Sequence, residues 1–156
     1  MKKLKVRYKE FILVKNIMEN IEIQELLQKH CKEIINSFIS KDIDFSIIAN
    51  ISNSSFHPKL PSDLQDSLSK FSIFSLAGYT FKSAHIKDES LCFEAGFGKD
   101  NFGSLVKIPL NSIFQIIKDD NIIFINTSAT FDNIVKNPKN NSMNLFKSNP
   151  NNKKFT

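Results

Sequence analysis

The chain has 156 residues, 41% of them hydrophobic and 24% charged, with a formal net charge of +5. That is enough for one domain with a real core and too little for two. No apolar run approaches the ~18–20 residues of a membrane span.

The basic start, MKKLKVRYKEFILVKNI, has the charge of a signal peptide. Its apolar patch at residues 11–14 is shorter than the roughly 7–15 residues of an h-region, and no small-residue cleavage site follows. The expected location is therefore cytoplasmic. Charge is unevenly placed. Residues 1–15 carry six Lys/Arg against Glu10, residues 131–156 carry five Lys against Asp132, and the body between has ten Lys against fourteen acidic residues. The ends read as solvated basic tails around a mildly acidic domain. The expected layout is a basic extension over 1–20, a domain over 21–130 and a disordered Asn/Lys-rich tail over 131–156.

Ile23, Leu26, Leu27, His30, Ile34, Ile35 and Phe38 recur at the helical period, predicting an amphipathic helix running to about Ser40. After SKDID, the Ile-rich residues 45–51 predict a strand, interrupted by the polar run SNSS. The stretch HPKLPSDLQDSLSKF predicts a loop with a short helical turn opening at Ser62 and Asp63, anchored by Leu60, Leu64 and Leu68. Residues 71–97 alternate with period two, through Phe71, Ile73, Tyr79, Phe81, Leu91, Phe93, Ala95 and Phe97, predicting antiparallel sheet with a hairpin turn at KDES. SLVKI predicts another strand. LNSIFQII after Pro109 reads as its end or a short helix, and NIIFIN returns as a last strand after the turn KDD. The expected class is α+β, an N-terminal amphipathic helix packed on a small, strongly bent antiparallel sheet or partial barrel.

Few residues are arranged for catalysis. Cys31 and Cys92 lie far apart in apolar stretches, which suits buried free thiols better than a disulfide. With His30 and His85 they lack the close-paired spacing of a zinc site. The pairs Asp42/Asp44 and Asp119/Asp120 fall where turns favour aspartate. Gly96, Gly98 and Gly103 crowd into eight residues, but no helix start follows them as a phosphate loop requires. No catalytic residue, metal or cofactor is expected.

The same glycine-rich segment carries a resemblance. A strand ending in AGFG, then a strand closing in VKIPL, then NSIFQII and a final strand ending IIF resemble the stringent starvation protein B (SspB) family, adaptors that deliver ssrA-tagged proteins to the ClpXP protease. The amphipathic helix, the Ile-rich strand, HPKLP and the hairpin at KDES arrive in the family's order, and the likeness covers about residues 23–126. The chain departs from the pattern where Gly98 is followed by Lys99 and a longer connection, KDNFG, with Gly103 expected to supply the lost flexibility.

The resemblance implies an SspB-like fold built around a small Sm/SH3-like barrel, and a non-catalytic bacterial protein that binds degradation tags. It implies a homodimer through the helix and ClpX as a partner. The expected peptide-binding residues, from the motif and strand parity, are Phe74, Leu76, Ala95, Phe97, Gly98 and Val106. Gly96 and Gly98 are expected to lack Cβ atoms so that an extended peptide can approach the backbone. In the tail, Met143, Leu145, Phe146 and Lys147 form an apolar and basic island expected to dock on the unfoldase. Family members begin near the helix, so Met18 is an expected alternative start. Two other readings stay open: a small barrel binding RNA or single-stranded DNA, with some of the fifteen phenylalanines as stacking platforms, and an enzyme using Cys92.

Overall fold

A computed structural model describes residues 19–130. Helix α1 (Ile21–Ser40) opens on Asn20, whose side chain accepts the Ile23 amide, satisfying one of the free donors of the first turn. Cys31 and Ile35 are fully buried, with Leu27, Ile34, Phe38 and Ile39 packed around them. The buried stripe is rotated from the predicted one. It turns His30 to the surface and leaves Leu26 61% exposed.

Eight strands follow: β1 (Phe45–Asn50), β2 (Ser55–His57), β3 (Phe71–Leu76), β4 (His85–Lys87), β5 (Ser90–Phe97), β6 (Phe102–Pro109), β7 (Ile113–Lys118) and β8 (Asn121–Ile125). Two short helices interrupt them, α2 (Ser62–Ser67) and α3 (Gly78–Ser83). The strands form two antiparallel four-stranded sheets, β3-β1-β7-β8 and β2-β6-β5-β4. The α+β class and the N-terminal helix are as expected. The single bent sheet or barrel is not, because the sheets do not close on one another. The chain changes sheet four times: through the 3₁₀ turn Ile51–Asn53 into β2, through the α2 segment into β3, through α3 into β4, and through the 3₁₀ turn Leu110–Ser112 from β6 back into β7.

The inner faces of both sheets are apolar in register. Across the first runs the row Phe74–Ile47–Ile116–Phe124, and across the second Phe56–Val106–Phe93. Phe74 and Phe93 meet with ring centroids 5.5 Å apart, joining the two rows into one core. Edge-on aromatic packing of this kind adds to the burial of the rings. Helix α1 closes the core from one side, and His30 reaches Phe124 at 5.8 Å between rings.

Two local expectations are corrected. Tyr79 and Phe81 belong to helix α3, not to a strand. Gly78, with φ of +55°, turns the chain out of β3 just before them, a conformation glycine takes at little cost. The segment after Pro109 is helical only through Ser112; Ile113, Ile116 and Ile117 then continue as β7, as β-branched side chains favour. The two hairpin turns fall where expected. Asp88 and Glu89, and Asp119 and Asp120, all have positive φ, the geometry of tight turns between twisted strands.

Candidate functional site

Along β5 and β6 the cross-strand pairs Phe93–Val106 and Phe97–Phe102 face inward, while Glu94–Leu105 and Gly96–Gly103 face outward. The outward pairs form the floor of a cavity of about 460 Å³. One wall is Tyr79 and Thr80 of α3, and the other is His57 and Pro58 at the end of β2. Strand β2 pairs with β6 only from Leu105 to Lys107. Pro58 follows at once and has no amide to continue the ladder. Its carbonyl instead accepts the Ser104 hydroxyl at 2.8 Å. Residues 102–104 are thus left as a sheet edge beside the cavity.

The three clustered glycines do three different things. A Cβ on Gly96 would fall 1.7 Å from Oδ1 of Asn101, so Gly96 makes room for that side chain. Gly98 has φ of +69° in the β5–β6 turn, and a Cβ there would press on Leu64 of α2. Only at Gly103 does the missing Cβ face open space. The expectation that Gly96 and Gly98 clear the way for a ligand is therefore corrected: both accommodate the protein's own side chains. The open glycine is the one that had been expected only to lend flexibility.

The structure separates the expected peptide-binding residues into two groups. Phe74, Leu76 and Val106 are core residues, fully or almost fully buried. Ala95 is half-buried and lines the cavity, while Phe97 packs under it against Phe56. Gly98 lies in the adjacent turn. Ala95 shares the inward parity of Phe93 and Phe97 yet also lines the cavity, so parity alone does not separate core from cavity. Tyr79, Glu94, Asn101 and Leu105 were not anticipated; the positions of Glu94 and Leu105 directly before Ala95 and Val106 were the available signal. Met143, Leu145, Phe146 and Lys147, like Met18 and both basic ends, lie outside the described residues.

The cavity holds one perturbed acid. The Tyr79 hydroxyl donates to the Glu94 carboxylate. That hydrogen bond, with the negative charge behind it, raises the phenol above the ordinary tyrosine range. A group whose pKa is raised by folding adds stability below its unfolded value, and that contribution is lost as pH climbs through the folded one. Alkaline titration of phenolate absorbance should therefore show one tyrosine ionising late, and Glu94→Gln should move it down. An unchanged curve would mean the pair does not form in solution.

Both cysteines are buried free thiols. Burial pushes Cys31 up to about 12. Burial also raises Cys92, although Lys107 and Lys87 oppose it, and its cross-strand neighbour His85 is exposed. A protonated thiol is a poor nucleophile. Among the described residues no cluster of three or more His, Cys, Asp or Glu is placed to hold a metal, and no helix is long and apolar enough to cross a membrane. No family model, curated protein or solved structure matches the chain.

Proposed function

We propose that the chain is a non-catalytic adaptor whose cavity binds an extended degradation tag of the ssrA type for delivery to the ClpXP protease. The observation that carries this reading is the open outward face at Gly103 beside the truncated β2–β6 ladder. An extended peptide can lie there close to backbone, with Gly103 offering no side chain to hold it off and residues 102–104 offering an edge. The cavity is shallow, with Leu105 on its floor and hydrogen-bonding groups from His57, Tyr79 and Asn101 on its walls, which suits small side chains on an extended backbone.

Nucleic acid is the weaker fit. Residues 19–130 carry ten lysines against fourteen acidic residues, and the cavity presents the Glu94 carboxylate, which repels phosphate. The test is a titration of a fluorescent ssrA-type peptide followed by anisotropy. Affinity near micromolar, about −8 kcal/mol, is expected, since an adaptor must release its cargo. Absence of binding at hundreds of micromolar would end this reading.

A homodimer through α1 belongs to the same proposal. Leu26 stands out on the helix surface, and a two-fold contact would cover it together with its copy. Light scattering at micromolar concentration should give the mass of two chains, and Leu26→Glu should halve it. A monomer in both samples would remove the dimer without touching the peptide site.

A further inference from the structure

The outer face of the β3-β1-β7-β8 sheet, opposite its own inner row Phe74–Ile47–Ile116–Phe124, is apolar without a cover among the described residues. One register row reads Ile73–Ile48–Gln115–Ile125 and the next Ser75–Ser46–Ile117–Ile122. Ile73 is 66% exposed, Ile122 53% and Ile125 48%. A patch of contiguous apolar side chains on one sheet face marks an interaction surface more often than a chance cluster. A concavity of about 410 Å³ opens across it, floored by Ile73, Ile117 and Ile122 and closed at one end by Asp44, Asp119 and Asp120. Lys118 pairs with Asp44 at 2.6 Å and with Asp119 at 3.3 Å. Three carboxylates against one ammonium leave that end of the groove acidic.

The occupant should therefore be extended, apolar on one side and basic on the other. Residues 3–9 of this chain read Lys-Leu-Lys-Val-Arg-Tyr-Lys. In an extended segment, alternate residues point to opposite sides. Leu4, Val6 and Tyr8 then share one side, and Lys3, Lys5, Arg7 and Lys9 the other. We infer that residues 3–9 dock on this sheet face, the apolar side over Ile73, Ile122 and Ile125 and the basic side chains reaching the Asp119/Asp120 end.

The reach is sufficient. Residues 10–18 connect the segment to Glu19, just ahead of α1, and can span up to ~30 Å. Helix α1 touches edge strand β8 through His30 and Phe124, only ~14 Å along the helix from Ile21. A second copy meeting the face symmetrically brings three carboxylates against the one Lys118 ammonium, the same acidic excess, so the basic segment is the better complement. This inference is independent of the peptide cavity, which lies on the other sheet.

Zero-length carbodiimide cross-linking of the full chain, in a mixture of ¹⁵N-labelled and unlabelled protein, tests it. Cross-links from Lys3, Lys5 or Lys9 to Asp119 or Asp120 are expected within single copies. They should fall at least ~10-fold in Ile73→Asp and in Ile125→Asp, two surface changes whose folding is checked by circular dichroism. Absence of these cross-links, or cross-links indifferent to both variants, overturns the assignment. Cross-links joining labelled to unlabelled chains would overturn it in favour of a second copy.

Discussion

Leu76→Ala is expected to destabilise the protein by about 2–5 kcal/mol, the range for truncating a fully buried leucine. Leu76 has no exposed surface and closes the β1–β3 ladder opposite Phe45. Phe45 stands among Phe38 and Phe81 at centroid distances of 5.5 and 6.3 Å, so the cavity left by the lost methyl groups is walled by rings that cannot collapse into it easily. The measurement is a denaturant unfolding curve with its midpoint and slope. The functional corollary is specific. If peptide binding is retained by the folded fraction of Leu76→Ala, the residue acts through stability alone. If the variant is as stable as the parent, the packing described around it is wrong.

Gly103→Leu should have the opposite profile. The backbone at Gly103 is not left-handed and an added Cβ meets nothing within 4 Å, so the fold tolerates the side chain. The isobutyl group then occupies the cavity between Tyr79 and Pro58. A loss of at least ~10-fold in peptide affinity, about 1.4 kcal/mol, is expected with an unchanged unfolding midpoint. Ala95→Gln is a less discriminating probe, because Ala95 also packs against the core. Wild-type affinity in Gly103→Leu would place the peptide elsewhere on the protein.

The comparison of these two positions shows what was legible in the sequence. Helix α1, the strands around Ile47, Phe93 and Val106, and both acidic hairpin turns follow from local periodicity and turn chemistry. Local pattern missed the short strand β2. It failed where a single residue redirected the chain: Gly78 turns Tyr79 and Phe81 out of their apparent strand, and the 3₁₀ turn at Leu110–Ser112 hides the strand behind it. The cavity was legible only at Ala95. Its walls come from α3 and from the end of β2, elements distant in sequence from the β5–β6 hairpin, and no spacing rule links Tyr79 to Glu94. The glycines were noticed for their density, but which one is open depends on where Asn101 and Leu64 lie.

The route of the chain between its two sheets also sets the order in which the molecule can assemble. Strands β4, β5 and β6 are joined by short connections and can zip together as soon as they exist. Strand β1 is made early yet sits between β3 and β7, with Ser46 paired to Ile117. During synthesis its β7 flank stays open until nearly the whole domain has emerged, and closing that long loop is the slow kind of step in folding. For that interval Ile47 and Ala49 belong to an unfinished sheet, so the nascent chain carries an unpaired apolar edge made early and covers it only when β7 emerges.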